Sequence, residues 1–185
     1  MAFFSYVSSV IVLLFVLNLS SPLFIHEAKN LVVANTNLIQ SLCNYSETPQ
    51  TCNKCVQSCN ASEKADGVQI ATIILNCIKD EATTLALNVT NLASISDGDL
   101  KTLCQTCAKD YGYSIPKEID SAKQSLQIQQ YEKAESFVVS ALDIDIDCQK
   151  KLKSFGPNKV PSDIFNVTTA YEELSEAACR IIEKL

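Results

Sequence analysis

The residues whose spacing could most readily do chemistry are two CxxC pairs, Cys52 with Cys55 and Cys104 with Cys107. In a reducing compartment this spacing holds zinc, because thiolates three positions apart supply half of a tetrahedral site. In an oxidising compartment the same thiols are consumed as disulfides. A thioredoxin-like role needs a βαβ pattern around the pair, and neither pair has one. Asp143, Asp145 and Asp147 imitate positions one, three and five of a calcium loop. The imitation fails at Cys148, where glycine is needed, and at Ser154, where a bidentate carboxylate must close the site. Histidine occurs once, at His26, close to where a leader would be cleaved, so no Ser-His or Cys-His pair has a base available. The remaining charges fall mostly opposite the apolar seams, and no pair of acids stands on an apolar face where burial would tune it for catalysis. The residues imply neither metal nor cofactor.

The fate of the cysteines depends on the compartment, which the start of the chain addresses. An apolar run from Val10 to Leu17 lies in a charge-free stretch that ends near Ser20 and Ser21. It is too short to span a bilayer and reads as a secretory leader over about residues 1–25, cleaved between 20 and 30. No other stretch is long and apolar enough to cross a membrane. Nine cysteines behind such a leader form a disulfide framework, and the odd count leaves at least one thiol unpaired in a monomer. That thiol could link a dimer, although a monomer is the expectation. Sequons at Asn44, Asn60, Asn88 and Asn166 agree with secretion. The net charge of −6 gives no electrostatic footprint for nucleic acid or anionic lipid.

Few glycines and long proline-free windows favour helix. Leu31, Val32, Ala34, Leu38, Ile39 and Leu42 outline a short helix. Cys43 and Cys52 then flank a polar turn holding Ser46, Thr48 and Pro49, the arrangement of a stapled helical hairpin whose second helix is Cys52 to Cys59. A bond closing so short a loop is worth about 2.5 to 3 kcal/mol on the chain-entropy account. Next comes a seam at Ala71, Leu75, Ile78, Ala82, Leu85, Val89 and Leu92, which predicts a core-facing helix of about six turns. After a turn at Ser94 to Asp99, where Asp or Ser should cap, Leu100, Cys104, Cys107, Tyr111, Ile115, Ile119, Ala122 and Leu126 share one face. Pro116 predicts an irregularity between Tyr113 and Pro116. Tyr131, Ala134, Val138 and Ala141 begin a third long helix, and Gly156 to Pro161 is a linker. A last helix carries Tyr171, Leu174, Ala178, Ile181 and Leu185, with Thr169 and Glu172, or Asn166, expected to cap it. The only period-two stretch, Asp143 to Asp147, is too short to build a sheet. Four amphipathic segments on short connections must cover one another's stripes, so the fold class is all-α, an antiparallel four-helix bundle preceded by the hairpin. The hairpin is expected over 31–60 and the bundle over 66–185, one domain spanning 31–185.

Together these features resemble the plant invertase and pectin methylesterase inhibitor family. The resemblance runs from about Leu38 to Leu185. It is carried by Leu38-Ile39, Cys43, Thr48-Pro49 and Cys52, then by Cys107 with Tyr111, Tyr131, Ala134, Ala141-Leu142, Cys148 and Leu152, and by the closing run from Tyr171. It implies disulfides Cys43 with Cys52 and Cys107 with Cys148; the latter closes a loop worth about 4 kcal/mol on the same account. Cys55, Cys59, Cys77, Cys104 and Cys179 are additional to the family's framework, and one or two further bridges could tie the hairpin's end to the bundle. Invertase inhibitors carry Pro-Lys-Phe before the third bundle helix; the matching stretch here is Gln129-Gln130-Tyr131, nearest in look to pollen-type members.

What the resemblance implies is a secreted, non-enzymatic inhibitor that blocks a cell-wall enzyme, pectin methylesterase or acid invertase. Its location would be the apoplast or cell wall, with the vacuole as the alternative. The competing reading is a stapled bundle that has lost inhibition and binds a small ligand or a receptor. Nothing in the residues names the contacting side chains.

Overall fold

The computed structural model describes residues 36–59 and 65–185; the expected leader over 1–25, Asn60, and the early residues Leu31, Val32 and Ala34 lie outside them. Every regular element among the described residues is helical. Helix α1 (36–43) and α2 (Pro49–Ser58) make the hairpin arm. The bundle follows as α3 (Gly67–Ile95), α4 (Gly98–Lys109) continued through a π-helical turn (Asp110–Ser114) into α5 (Ile115–Gln127), α6 (Tyr131–Lys153) and α7 (Ser162–Ile182).

Helix α3 is 29 residues long, two turns more than its apolar seam predicts. Its start is fixed by a capping box that the seam does not contain. Asp66 accepts from the Gln69 amide at 2.8 Å while Gln69 Oε1 accepts from the Asp66 amide at 2.9 Å, which satisfies two otherwise orphaned N–H groups. Asp97 stands at the N-cap of α4 but makes no capping bond through its side chain. The last helix begins at Ser162, so Asn166 and Thr169 are interior residues and cap nothing. There the Thr169 hydroxyl donates to the Phe165 carbonyl at 2.9 Å, within the helix.

Pro116 lacks an amide proton and its ring crowds the carbonyl one turn back. The backbone answers by widening just upstream: the Ile115 amide reaches the Asp110 carbonyl, a five-residue step, and the helix continues without a break. Helix α3 packs against α4 and α7, and α6 packs against α5 and α7, which closes the ring of four. Ile70, Ile74, Leu75, Ile78, Leu85, Ile115, Ile119, Leu126, Leu152 and Ile181 fill its axis and are inaccessible to water. At roughly 2 kcal/mol for each large side chain buried, this axis is the main source of stability.

Three disulfides cross the structure. Cys43 is bonded to Cys52 within the arm, with Cα atoms 5.6 Å apart. Cys55 on α2 is bonded to Cys77 on α3, and Cys107 on α4 to Cys148 on α6. Neither CxxC pair is joined to itself: Cys52 and Cys55 bond to Cys43 and Cys77, Cys107 bonds to Cys148, and Cys104 is unpaired.

Candidate binding surface

Among the described residues no group of three His, Cys, Asp or Glu side chains is placed to hold a metal ion. No helix among them is long and apolar enough to cross a membrane. Asp143, Asp145 and Asp147 do not converge, because a helix turns them to different directions. Asp143 is exposed, and Asp147 pairs with Lys151 at 2.9 Å, which holds its carboxyl below the ordinary range.

Asp145 is an exception to the expectation that charges stand mostly opposite the seams: its relative exposure is 0%. The sequence signal was present, since Val138, Ala141, Asp145, Cys148 and Leu152 follow steps of three and four. The Tyr111 hydroxyl, delivered by the π-helical turn, donates to Asp145 Oδ1 at 2.7 Å. Among the described residues, Asp145 Oδ2 and the buried Tyr171 hydroxyl have no hydrogen-bond partner. Burial drives the Asp145 pKa to about 7, against the hydrogen bond from Tyr111; Glu172 raises it further and Lys153 opposes. Burial, with the nearby carboxyl, also pushes both tyrosines well above their ordinary value. One turn away, Cys107–Cys148 ties the same two helices covalently. This cluster is enclosed in the bundle and offers nothing to a substrate.

The surface that faces outward without charge lies at the corner between α5 and α6. Gln127, Ile128, Gln129 and Gln130 are all exposed, Ile128 to 63%. The corner is tight and ordered by its backbone. The Gln129 amide donates to Leu126 O at 3.0 Å and the Gln130 amide to Ser125 O at 2.9 Å, the bond pair of a Schellman motif. That motif needs a left-handed residue, and Gln129 supplies it at φ 58°, a conformation usually left to glycine. Further back along α5, side chains tie it to α3. Lys79 Nζ on α3 donates to both oxygens of Asp120 on α5, at 2.9 and 2.7 Å, and keeps that carboxyl below its ordinary range. Lys123 Nζ donates to Asn76 Oδ1 at 2.8 Å.

The arm is clamped to the bundle by more than its disulfide. The Glu47 amide donates to Glu176 Oε2 at 3.1 Å, Thr51 donates to Glu173, and Lys184 lies 5.1 Å from the centre of the Tyr45 ring. The C-terminal Leu185 packs over Gly67, at the start of α3. Of the sequon asparagines, Asn44 is exposed in the arm turn, Asn166 is exposed on α7, and Asn88 is half-buried about two turns before the end of α3. Cys59, Cys104 and Cys179 are unpaired. Burial pushes the Cys179 thiol up to about 12, helped by Glu135, Glu183 and Glu176, and it raises Cys104 as well, so neither is poised to react at neutral pH.

A family model described as plant invertase/pectin methylesterase inhibitor matches residues 37–180, from the arm to the end of the last helix. No curated protein matches the chain.

Proposed function

Since the chain belongs to the plant invertase/pectin methylesterase inhibitor family, we propose that it is a secreted protein inhibitor that blocks a cell-wall carbohydrate-active enzyme, pectin methylesterase or acid invertase, by occupying its substrate cleft. Members of this family are inhibitors, not enzymes, and are typically secreted to the extracellular space. The apoplast or cell wall is the location this reading implies, with the vacuole as the alternative. The observation that carries the reading is the family match over 144 residues, 37–180, which takes in both the arm and the whole bundle. Rigidity supports it. Arm and bundle are joined by Cys55–Cys77 and by the Glu47, Thr51 and Tyr45 contacts, so little conformational freedom is lost on docking.

The corner at Ile128 to Gln130 is the contact we assign to the target. It is exposed, uncharged and held in one conformation, as the centre of an interface requires. Titrating one pectin methylesterase and one acid invertase with the disulfide-intact protein tests the function. Stoichiometric loss of activity of one enzyme is expected. Full activity of both across acidic and neutral pH overturns the reading and leaves the ligand- or receptor-binding alternative, to which the Gln129-Gln130-Tyr131 stretch lends support. Within an active pair, Ile128→Asp should weaken inhibition about tenfold or more with no change in thermal stability. An unchanged inhibition constant removes the corner from the interface.

A further inference from the structure

Ile95, at the last position of α3, is the most exposed of the large apolar side chains among the described residues, at 82%. It borders a cleft of about 350 Å³ whose other walls include Asn88, Asn91, Pro161, Asp163 and Ile164. Asn88, Asn91 and Ile95 are three and then four residues apart and so share one helical face, with Ile95 about 10 Å along the axis from Asn88. Asn88 is also the acceptor position of a sequon, Asn88-Val89-Thr90. Among the described sequon asparagines it alone lines this cleft, since Asn44 lies in the arm turn and Asn166 on the outer face of α7.

We propose that Asn88 carries an N-linked glycan and that the inner N-acetylglucosamine units of that glycan lie in this cleft, covering Ile95. The proposal rests on the secreted reading, because the sugar is transferred in the secretory lumen. Transfer precedes folding, so the helical setting of Asn88 is no obstacle. The cleft's chemistry suits a pyranose. Ile95 and Pro161, set over the nearly buried Leu92 and Ile164, offer apolar surface to the C–H face of the ring, while Asn91, Ser94 and Asp163 stand at the rim to hydrogen-bond its hydroxyls and acetamide. The sugar would join the end of α3 to the start of α7 across a gap that side chains do not fill. It would also screen an apolar residue that is otherwise in water.

The test uses the full chain expressed through a eukaryotic secretory pathway. Enzymatic glycan release in heavy-oxygen water, followed by peptide mapping, should mark Asn88 as converted to Asp. A bare Asn88 beside occupied Asn44 or Asn166 overturns the proposal and leaves the secreted reading intact. If all the sequons are bare and the leader is uncleaved, both fall. Packing is read by hydrogen exchange over residues 88–95 and 161–166. The glycosylated protein should exchange several-fold more slowly there than Asn88→Gln, and Ile95→Ser should abolish most of that protection while Asn88 stays occupied. Equal exchange in all three shows a glycan that points into solvent and overturns its seat in the cleft. Asn88→Gln made in a non-glycosylating host, compared with wild type from the same host, separates loss of sugar from loss of fold.

Discussion

Replacing Asp145 by asparagine should leave stability near the wild type in acid and raise it above pH 7, removing a pH dependence that the carboxyl imposes. The carboxyl is sealed between α4 and α6 and receives one hydrogen bond, from Tyr111. Its pKa rises from the ordinary 3.8 to about 7 because burial disfavours the charge. The folded state therefore keeps this proton at pH values where the unfolded state has released it. Below about pH 4 both states are protonated and above about pH 7 both are ionised, so stability falls as pH climbs through the interval between. The full interval is worth about 4 kcal/mol, at 1.36 kcal/mol for each pH unit. Asparagine imitates the protonated acid: its carbonyl still accepts from Tyr111, and it has no charge to bury. Asp145→Asn should match the wild type below about pH 4 and exceed it above pH 7, by about 10 °C in Tm for a domain of this size. Thermal melts followed by circular dichroism, with disulfides intact, read this directly. The ion pairs of Asp120 and Asp147 titrate in the opposite sense but lower on the scale, outside this window. Parallel stability curves for wild type and Asp145→Asn between pH 4.5 and 8 would refute the reasoning.

Two further substitutions have signs that the structure decides. Gln129→Gly should stabilise by about 1 kcal/mol, because glycine adopts φ 58° without the Cβ clash; denaturant unfolding measures it, and a loss of stability would show that the Gln129 side chain contributes something its backbone strain conceals. Replacing Cys55 and Cys77 together by serine should cost about 3 kcal/mol for a sequence separation of 22, and limited proteolysis of that variant should cut the arm before the bundle; a bundle cleaved first would mean that the noncovalent clamp suffices.

The helices were legible because each seam is long and regular, and because the stripe at Leu100 to Leu126 continues through the irregular turn in one phase. Their ends were less so. The start of α3 depends on Asp66 and Gln69, polar residues outside the seam, and the start of α7 lies at Pro161 and Ser162, a turn and more before the Thr169 that capping-box spacing suggested. A spacing of this kind recurs by chance inside helices, and only the hydrogen-bond geometry separates the two cases. Asp145 was concealed by its neighbours. In Asp143-Ile144-Asp145-Ile146-Asp147 the alternation of acid and isoleucine suggests period two, yet the helical phase inherited from Val138 and Ala141 carries Asp145 into the core and leaves Ile146 40% exposed. The bond between Cys55 and Cys77 was beyond spacing altogether, because pairing depends on how α2 docks on α3 and not on the distance along the chain.

The two ends of the bundle are different surfaces, and the difference bears on where a target can sit. Helix α3 alone spans about 43 Å, so the loops at Ile95 to Gly98 and at 154–161 stand far from the corner at Ile128 to Gln130, which α4 and α5 carry to the opposite end. Asn88 and Asn166 both belong to the loop end. If sugars occupy them, that end is crowded by flexible hydrophilic mass and is poorly suited to entering an enzyme's cleft. At the other end the helices that form the corner carry no sequon, the arm's Asn44 being the sequon on that side, and the bundle is braced by Lys79–Asp120, by Lys123 with Asn76, and by the arm bonded alongside at Cys77. Stiffness there serves binding directly, because an interface that is already in its bound conformation keeps the free energy that ordering would otherwise take. The strained Gln129 fits a contact role: a glycine would relieve the backbone, but it would remove an exposed side chain from the uncharged corner.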